Sequence, residues 1–395
     1  MTSASSNAPV ILPGSTIGIL GGGQLGRMTA MAARGLGYRV QVMDPDPSCP
    51  ARFVVDACFE GNWNDARAAA DLARGSDVVT LEIEQVSLAC LEAAAKYAPV
   101  RPAAAALRII QDRILQKNWL REHRFPIGEY RAIASESDLN AAAAELGPNL
   151  FVKSARGGYD GRSQVKLGFG DSTTPAQAWR LLDEKPCVAE KAIELDREIS
   201  VMVARAPSGE TKSFNSALNH HENQILDWSV LPSSIDATLE SKAQSIACSI
   251  AEAIQLEGLL AVEMFVSKST GKSPDEVLLV NELAPRPHNS YHSSERACVT
   301  SQFEQAVRAI CNLPLGDVSI VQPAAIANLL GDLWLDKNGE PREPRFDKAL
   351  AVPGVGLHLY EKHTARPGRK MGHLSAVAMT PDEAVKRVLI AKMLL

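Results

Sequence analysis

Two glutamates stand inside apolar stretches of the chain, where a carboxylate is costly to keep. Glu263 lies between Val262 and Met264 in LLAVEMFV, and Glu282 lies near the end of EVLLVNEL. A buried carboxylate needs a cation or hydrogen-bond partners, and two on neighbouring strands would repel and raise each other's pKa. The polar segment SKSTGKSPD between the runs predicts an antiparallel hairpin. The pair therefore predicts a magnesium site shared with nucleotide phosphates. The alternative is two separate salt bridges or exposed side chains.

A glycine-rich loop at residues 154–161, SARGGYDG, follows the strand-like segment FVK, which ends in Lys153. Glycines let backbone N–H groups approach an anion closely, and a lysine adds a point charge for a phosphate. The segment therefore suits a phosphate-binding loop. An exposed hairpin loop with a solvated lysine fits the same residues.

Two more segments could bind anions. Arg286, His288 and Asn289 follow the second apolar run directly, and a cation, an imidazole and an amide beside a metal suit a small anion. The alternative for this segment is a polar loop that caps neighbouring elements. The other segment is RPGRK at residues 366–370, with Lys362 nearby. It could hold a phosphate, although a charge run of this kind is usually solvated surface.

Gly21, Gly23 and Gly26 form a G-x-G-x-x-G pattern between a strand-like and a helical segment, and Asp44 ends the next strand. This is the context of a dinucleotide-binding fingerprint. The helix N-terminus could instead bind the phosphate or ring of another ligand, and glycines in such a turn also serve strand-to-helix packing alone. The pattern leaves these alternatives open.

The elements that must position these residues follow from the periodicity of the chain. Short strands are predicted at residues 16–20, 39–44 and 77–84, and Ala/Leu-rich helices lie between them. This alternation indicates a parallel, doubly wound sheet. A new unit begins near Ala103 and contains strands, an amphipathic helix at 236–257 and the hairpin. The part from about Val321 mixes short strands and loops, and residues 1–15 are predicted to form a disordered tail.

The composition narrows the classes of protein. The chain has 395 residues, 46% of them hydrophobic and 22% charged, with a formal net charge of −5. This length predicts two or three domains, and the acidic balance argues against a general nucleic-acid or anionic-membrane surface. No apolar run approaches the roughly 20 residues that span a bilayer, and no signal-peptide pattern is present. The seven scattered cysteines predict free thiols in a reducing compartment, so we expect a cytoplasmic protein.

The segments GGGQLGRM, QKNWL, VKSARGGYDGR, VNELAPRPHNS, ACVTSQFEQ and RPGRKMGHL occur in this order. Together they resemble the 5-(carboxyamino)imidazole ribonucleotide synthase family of ATP-grasp enzymes, from about Thr16 to Leu374. The resemblance implies a mixed α/β and α+β fold in three parts. The first part is an N-terminal doubly wound, Rossmann-like domain at residues 16–103. The second is a central ATP-grasp domain at residues 104–320, with subdomains at about 104–186 and 187–320. The third is a small C-terminal domain at residues 321–395.

The resemblance also implies roles for individual residues. It implies that ATP contacts Lys117 and Lys153 at its phosphates, Gly158 in the glycine-rich loop, Glu190, Lys191 and Ile193 at the adenine, and Glu198 at the ribose. It implies that the metal ligands are Glu263 and Glu282. It implies that the catalytic residues are Arg286, His288, Asn289 and Asp160. It implies that 5-aminoimidazole ribonucleotide contacts Gln24, Leu25, Glu82, Tyr159 and Asp160, and that its phosphate is anchored by Lys362, Arg369 and Lys370.

The implied chemistry uses ATP and Mg²⁺, with Mn²⁺ as an alternative metal, and the substrates 5-aminoimidazole ribonucleotide and bicarbonate. Bicarbonate would attack the γ-phosphoryl group to give carboxyphosphate and ADP, a transfer that depends on alignment and charge neutralisation. The exocyclic amine would capture CO₂ from carboxyphosphate, with the loop at 154–161 as a lid and Asp160 or His288 handling the proton. Family members are commonly dimers, so we expect a homodimer without nucleic-acid or membrane partners.

Three features depart from the family pattern. GGGQLG carries an extra glycine where some members have asparagine. The other two departures concern the shape of the loop after Asn289. Tyr291 stands where many members have glycine, and Arg296 stands where an acid or amide is commoner. Three rival classes are another ATP-grasp carboxylase or formyl-transferring enzyme, an NAD(P)-dependent oxidoreductase and a non-catalytic nucleotide sensor. GGYDG and RPGRK fit the first rival less well, the oxidoreductase leaves the glutamate pair unexplained, and the intact lysines and glutamates argue against the sensor.

Overall fold

The computed structural model describes residues 8–157, 163–170, 173–268 and 276–395. Within these residues the chain forms three sheets with helices packed against them. The first sheet is parallel, the second is antiparallel and four-stranded, and the third is antiparallel and nine-stranded. The order of the elements along the chain agrees with the mixed α/β and α+β class that the sequence predicts.

The N-terminal unit is the predicted doubly wound sheet. Its elements are β1 (Thr16–Leu20), α1 (Gln24–Gly35), β2 (Arg39–Asp44), β3 (Ala57–Glu60), α2 (Ala66–Arg74), β4 (Val78–Leu81) and α3 (Leu88–Ala94). The strands are parallel in the order β3-β2-β1-β4. Ile17, Ile19, Val40 and Val42 are fully buried, because helices cover a parallel sheet on both faces. The carboxyl ends of β1 and β4 lead to the glycine turn and to Glu82.

The second unit carries the lysine-bearing strand and the glycine-rich loop. Its elements are α4 (Ala104–Ile110), α5 (Arg113–Glu122), β5 (Tyr130–Ile133), α6 (Glu136–Leu146), β6 (Leu150–Ser154), β7 (Gln164–Leu167), α7 (Pro175–Leu181) and β8 (Cys187–Lys191). The strand order is β5-β8-β6-β7. The strand β8 therefore pairs within this sheet, although the sequence places a subdomain boundary just before it. Gly158, Tyr159 and Asp160 lie outside the described residues.

The third sheet combines the rest of the chain. Its elements are β9 (Leu195–Arg205), β10 (Thr211–Ser213), β11 (Ala217–Glu222), β12 (Ile225–Leu231), α8 (Ala237–Ala253), β13 (Gly258–Ser267), β14 (Val277–Ala284), α9 (Ser294–Ala297), α10 (Gln302–Ile310), β15 (Ala324–Leu330), α11 (Phe346–Leu350), β16 (Val355–Leu359), β17 (Lys370–Val377) and α12 (Pro381–Met393). The strand order is β14-β13-β9-β11-β12-β15-β17-β16, with β10 on β9. The predicted boundary at 320/321 thus falls within one continuous sheet, because β12 pairs with β15.

Helix α8 shows how the sequence builds this layer. Asp236 directly precedes the first residue, Ala237, and its carboxylate accepts the N–H groups of Thr238 and Leu239 and so caps the helix. Leu239, Ala243 and Ile250 are buried in the core beneath the sheet, and each large apolar side chain buried in this way stabilises the fold by about 1.5–3 kcal/mol. The predicted amphipathic helix is confirmed. Within the described part of the chain, no helix has the length and apolar content needed to cross a bilayer.

The prediction of a disordered tail over residues 1–15 is wrong from Ala8 onward. The backbone N–H of Ile11 donates to the carbonyl oxygen of Cys311 at 2.9 Å, and Tyr38 Oη donates to the carbonyl oxygen of Ile11 at 2.6 Å. The amide Nδ2 of Asn312 donates to the carbonyl oxygen of Ala8 at 2.7 Å. Ile11 also joins the buried apolar cluster of the first unit. Of the three consecutive apolar residues Val10, Ile11 and Leu12, Ile11 alone is buried, and with these hydrogen bonds it fixes a segment whose composition suggested disorder.

Candidate active site

One cleft of about 1460 Å³ is lined by residues from all three sheets. Every predicted site residue that the structure describes lines it, namely Gln24, Leu25, Glu82, Lys117, Lys153, Glu190, Lys191, Ile193, Glu198, Glu263, Glu282, Arg286, His288, Asn289, Lys362, Arg369 and Lys370. The remaining three, Gly158, Tyr159 and Asp160, belong to the residues that are not described. Residues that are far apart in sequence thus share one site.

The glutamate pair lies on the predicted antiparallel hairpin. Glu263 on β13 is the direct cross-strand partner of Glu282 on β14, and a bulge follows because Asn281 has no partner in the ladder. A bulge turns adjacent residues toward the same side, so Asn281 and Glu282 both face the cleft. Asn281 Nδ2 donates to Glu263 Oε2 at 3.4 Å, and its Oδ1 accepts from Lys153 Nζ at 3.4 Å. The bulge therefore connects the carboxylate pair to the lysine strand.

Each glutamate of the pair contacts its own basic side chain, an arginine for Glu282 and a histidine for Glu263. Arg113 Nη1 donates to Glu282 Oε2 at 2.8 Å, and His288 Nε2 lies 3.1 Å from Glu263 Oε1. Burial alone would raise the pKa of Glu263, but the hydrogen bond and charge of His288, with His221 and Arg113, outweigh it and lower the pKa to about 2. Glu263 is therefore ionised at neutral pH, the form in which a carboxylate binds a metal.

Two lysines form the second group in the cleft. Lys117 Nζ lies 3.2 Å from Glu190 Oε1, and Lys153 Nζ lies 2.8 Å from Glu190 Oε2. Burial lowers the pKa of Lys117. Burial alone would raise the pKa of Glu190, but the two lysines outweigh it and lower that pKa to about 2. The carboxylate of Glu190 thus lies between the two lysines that are predicted to bind the ATP phosphates. The sequence placed Glu190 beside the adenine and did not indicate these contacts.

The predicted ribose acid, Glu198, has a partner that sequence reasoning missed. Its Oε2 lies 2.7 Å from His221 Nδ1. Burial would lower the pKa of His221, but the hydrogen bond and charge of Glu198 raise it. His221 lies on β11, next to β9 in the sheet, and no spacing in the sequence relates it to Glu198. Lys191 on the same wall pairs with Glu129, Nζ to Oε1 at 2.6 Å.

The glycine turn of the first unit is filled by the protein's own carboxylates. The N–H groups of Gly23 and Gly26 donate to Glu82 Oε1 and Oε2 at 2.6 and 2.7 Å, and the N–H of Gly22 donates to Asp44 Oδ2 at 2.8 Å. Burial raises the pKa of Glu82, while the hydrogen bonds from Gly26 and Gly23 oppose the rise. In a dinucleotide fingerprint this helix N-terminus would hold a pyrophosphate. Because carboxylates already occupy those donors, the turn argues against the oxidoreductase alternative.

The cations of the C-terminal segment lie against the start of α1. Lys362 Nζ donates to Gln24 Oε1 at 2.5 Å and to the carbonyl oxygen of Lys370 at 2.7 Å. Arg369 Nη1 donates to the carbonyl oxygen of Thr364 at 2.7 Å. These contacts join the predicted phosphate anchor to the predicted substrate residues of the first unit. The solvated-surface alternative for this segment does not fit, because all three cations line the cleft.

The loop after β14 is held in place by hydrogen bonds from Gln302 at the start of α10. Gln302, which is fully buried, accepts the backbone N–H of His288 at 2.8 Å and donates to the carbonyl oxygen of His288 at 3.0 Å. His288 Nδ1 contacts Ser290 Oγ at 2.8 Å. Arg286 forms an ion pair with Glu84, Nε to Oε1 at 2.8 Å. Backbone, imidazole and guanidinium therefore have fixed positions before any ligand binds.

Asn289 is the exception within this loop. It is 7% exposed, and among the described residues neither its Oδ1 nor its Nδ2 has a hydrogen-bond partner. A buried amide without partners costs about 1–3 kcal/mol, so its presence on the cleft wall indicates a polar ligand. The loop around it is well packed: Tyr291 Oη donates to the carbonyl oxygens of Ser200 and Asn215 at 2.7 and 2.9 Å.

Several site residues could not be found from the sequence. Arg113 begins α5, Asn281 occupies the bulge, His221 lies on a neighbouring strand, and Gln302 begins α10. Asn281 and Gln302 belong to the segments VNELAPRPHNS and ACVTSQFEQ, whereas Arg113 and His221 belong to none of the quoted segments. No segment indicates the contacts that these four residues make, because each meets its partner only through the tertiary fold. The departure at Tyr291 has a structural explanation, since its ring is buried and packs edge-on against Phe214.

Family models match the chain in three consecutive segments. They describe a ribonucleotide synthetase preATP-grasp domain at residues 15–111, an ATP-grasp domain at 118–303 and a phosphoribosylaminoimidazole carboxylase C-terminal domain at 324–387. The N5-carboxyaminoimidazole ribonucleotide synthase of Brucella melitensis is 40% identical over 365 residues, which cover 92% of this chain and 97% of that protein.

Solved structures give the same result. N5-carboxyaminoimidazole synthetase from Staphylococcus aureus, complexed with ADP, has a TM-score of 0.88 at 32% identity and covers 98% of this chain and 99% of that one. N5-carboxyaminoimidazole synthase from Aspergillus clavatus, in complex with ADP and 5-aminoimidazole ribonucleotide, has a TM-score of 0.85 at 31% identity and covers 96% and 98%.

The three-part fold and the lysine- and glutamate-lined cleft define an ATP-grasp ligase. The chain belongs to the N5-carboxyaminoimidazole ribonucleotide synthase family. It is therefore an ATP-dependent ligase of purine biosynthesis that carboxylates 5-aminoimidazole ribonucleotide. The family, fold class and activity that the sequence predicts are confirmed.

Proposed function

We propose that the cleft carries out this carboxylation through bicarbonate. Bicarbonate oxygen attacks the γ-phosphorus of ATP and ADP leaves, which gives carboxyphosphate. Carboxyphosphate breaks down to CO₂ and phosphate, and the exocyclic amine of the ribonucleotide captures CO₂ and releases a proton. The observation that supports this order of reaction steps is that two lysines, a carboxylate pair and a separate group of cations line the same cleft.

The ATP phosphates would bind at Lys117 and Lys153. These ammonium groups already surround a carboxylate, that of Glu190, so the position attracts anionic oxygen. Charge neutralisation by such groups is the main contribution to phosphoryl transfer. Lys191, Ile193 and Glu198 would bind the adenine and ribose on the neighbouring wall of the cleft, and Gly158 would belong to the same nucleotide site.

Glu263 and Glu282 fit Mg²⁺ by their chemistry. Two carboxylates on paired positions of one hairpin supply hard oxygen ligands beside the lysines, and Mg²⁺ is usually bound by one or two carboxylates plus phosphates. Mn²⁺ suits the same ligands. When bound, the ion would neutralise charge on the phosphates. Arg113 and His288 hold the two carboxylates in place on either side.

The bicarbonate pocket would form around Asn289. Its amide has no partner among the described residues, Arg286 supplies a guanidinium fixed by Glu84, and His288 supplies an imidazole. Donors that are fixed in advance stabilise charge that develops during the reaction. His288 or Asp160 would take the proton from the amine.

The ribonucleotide would lie between α1 and the C-terminal strands. Lys362, Arg369 and Lys370 would bind its phosphate, because all three cations line the cleft and cations bind phosphate by charge and hydrogen bonding. Gln24 would contact it nearby, since Gln24 is bonded to Lys362. Leu25, Glu82, Tyr159 and Asp160 would complete this side.

The cellular setting forms part of the proposal. We expect a homodimer in the cytoplasm, with ATP, bicarbonate and the ribonucleotide as partners and without nucleic acid or membrane. The seven cysteines are free thiols, as a reducing compartment maintains them.

The experiment measures ADP release and product formation from ¹³C-bicarbonate with ATP and Mg²⁺. We expect ADP release to rise when 5-aminoimidazole ribonucleotide is added and the ¹³C label to enter a carbamate signal. ADP release that is independent of the ribonucleotide would contradict the substrate side of the proposal. Carbamate formation without ADP release would contradict the carboxyphosphate route.

A variant tests the phosphate anchor separately. Lys370→Met should raise KM for the ribonucleotide by about 10-fold or more, because an ion-pair contact to phosphate is lost, and leave KM for ATP unchanged. Lys348→Met is the matched control, since Lys348 is exposed on α11 and does not line the cleft. Equal KM values for Lys370→Met and the control would refute the anchor.

A further inference from the structure

A group of side chains with metal-ligand chemistry lies outside the cleft. It consists of Glu295 on α9, His358 on β16 and His373 on β17, and one ligand atom of each lies within 4.8 Å of the others. None of the three lines the nucleotide cleft. The reaction described above leaves them without a role.

The register of the C-terminal strands creates the histidine pair. His358 is the direct cross-strand partner of His373, and directly opposite side chains in an antiparallel pair lie close together. Their rings are stacked with centroids 5.1 Å apart and an interplanar angle of 15°. Helix α9 packs against β17 and brings the carboxylate of Glu295 to the same place. Among the described residues, this carboxylate has no hydrogen bond or ion pair.

A hydroxyl group orients the buried histidine of the pair. Tyr360 Oη lies 2.9 Å from His373 Nδ1, and both side chains are buried. If Nδ1–H donates to the tyrosine oxygen, Nε2 keeps a free lone pair. Histidines that bind metals usually donate their other N–H group to a fixed acceptor in this way. The contact holds the His373 ring in place, and the tautomer with the proton on Nδ1 leaves Nε2 available to a metal.

A third imidazole, that of His292, lies beside the group and has a buried N–H without an acceptor among the described residues. The ring of His292 lies 4.9 Å from that of His373, and the residue is 1% exposed. Gln302 Nε2 donates to His292 Nδ1 at 3.1 Å, because the oxygen of that amide is used by the N–H of His288. His292 therefore carries its proton on Nε2, and this buried N–H has no acceptor among the described residues. A buried N–H donor of this kind requires an acceptor.

We propose that Glu295, His358 and His373 form a binding site for a transition-metal ion of the zinc class, separate from the magnesium ligands. Two imidazoles and a carboxylate are a ligand set that Zn²⁺ takes with a water in the fourth position. Imidazole is a poor ligand for Mg²⁺, which prefers oxygen. A metal-bound water also offers the acceptor that His292 Nε2–H lacks.

The geometry requires only a small closure. Zinc–ligand bonds of about 2.0–2.1 Å place tetrahedral ligand atoms about 3.4 Å apart. The three atoms lie within 4.8 Å of one another, so side-chain rotation must bring them closer by at most about 1.4 Å. Glu295 is exposed and His358 is half-buried, and both can rotate. The bound ion would tie α9 to the hairpin of β16 and β17, and the loop of this hairpin carries Lys362 and Arg369.

The test uses the full-length chain after treatment with EDTA and desalting. ZnCl₂ is titrated by calorimetry in buffer with millimolar MgCl₂, which would compete for the carboxylates of the cleft. We expect one Zn²⁺ per chain and a rise in Tm with added zinc, because a ligand of the native state stabilises it. Absence of stoichiometric binding under these conditions would overturn the proposal.

Variants identify the ligands. Glu295→Gln and His358→Gln should each weaken zinc binding by at least about 10-fold and abolish the zinc-dependent rise in Tm. Glu343→Gln and His363→Gln are the matched controls, because both side chains are exposed and lie outside the group, and they should bind zinc like the unmodified chain. Unchanged affinity in either ligand variant would show that the ion binds elsewhere.

Discussion

Glu263 and Glu282 lie directly opposite each other on β13 and β14, yet each carboxylate contacts a different basic side chain. Arg113 reaches Glu282 from α5, and His288 reaches Glu263 from the loop after β14. The sequence posed two alternatives for these glutamates, a shared metal site or separate salt bridges. The contacts with Arg113 and His288 are compatible with a metal site, so the two alternatives do not exclude each other. Burial alone would raise the pKa of Glu263, but His288, His221 and Arg113 outweigh burial and lower it, and an ionised carboxylate suits a magnesium site.

Glu282→Gln should lower the rate of ADP formation by at least about 100-fold, which corresponds to about 2.7 kcal/mol of transition-state stabilisation. The amide keeps the shape of the side chain but removes the charge that a metal and Arg113 both need. Fold and ribonucleotide binding should remain largely intact. The measurements are steady-state ADP release, ribonucleotide binding by calorimetry and Tm.

Glu276→Gln on the same hairpin is the control for this variant. Glu276 pairs with Arg197 and does not line the cleft, so its turnover should match that of the unmodified protein. Unchanged turnover in Glu282→Gln would show that this side chain is not a metal ligand.

Glu190→Gln should destabilise the ligand-free protein by about 3 kcal/mol. Removing one partner of a buried ion pair leaves the other charge uncompensated, and here two ammonium groups, those of Lys117 and Lys153, lose the carboxylate between them. Phosphate groups at the same place should restore part of the loss. Urea unfolding with and without MgADP measures both effects, and we expect MgADP to stabilise the variant more than the unmodified protein.

Glu129→Gln provides the comparison for a surface pair. Glu129 binds Lys191 in a partly exposed ion pair, and such pairs contribute about 0–1 kcal/mol. A loss in Glu190→Gln no greater than in Glu129→Gln would mean that the lysines do not depend on Glu190.

The same carboxylate predicts how stability depends on pH. The pKa of Glu190 is about 2 in the folded chain, against an ordinary value of 4.5. A depressed pKa contributes stability that is complete above about pH 4.5 and is lost as the pH falls toward 2. The difference in unfolding free energy between the unmodified protein and Glu190→Gln should therefore stay constant from pH 5 to 7 and shrink below pH 4.5. A difference that grows on acidification would contradict this assignment.

The order of the elements could be predicted because each part of the chain carries a local signal. Alternating strands and helices gave the parallel sheet, and the apolar runs around a polar turn gave the hairpin of Glu263 and Glu282. Ile11 shows the limit of composition, because one buried side chain fixes a segment that otherwise looks disordered. The joining of β12 to β15 is likewise a tertiary pairing without a local signal.

The site was only partly predictable for a related reason. The resemblance names Glu190 but not the direction of its side chain, which the two lysines determine through charge. The bulge at Asn281 depends on the register of two strands, and a register is not visible in either strand alone. Sequence motifs therefore identified the residues of the cleft, whereas the partners that fix their orientation required the structure.

The glycine turn gives a last prediction, on the substrate side. Both oxygens of Glu82 accept backbone N–H groups, one from Gly23 and one from Gly26, and a Cβ on Gly26 would lie 2.4 Å from the carbonyl oxygen of Gly21. The turn therefore has a single arrangement, and Gln24 and Leu25 lie within it. In Glu82→Gln an NH₂ group would face one of the N–H donors, which should cost about 1–3 kcal/mol and displace both residues.

We expect Glu82→Gln to raise KM for 5-aminoimidazole ribonucleotide by about 10-fold while KM for ATP stays within about 2-fold, since the lysines and the glutamate pair lie on other walls of the cleft. Glu60→Gln is the control, because Glu60 is exposed at the end of β3 and should leave both constants unchanged. Steady-state kinetics with each substrate varied in turn decides the matter. A rise in KM for ATP equal to that for the ribonucleotide would indicate general loss of structure, and no change in either would remove Glu82 from the substrate side.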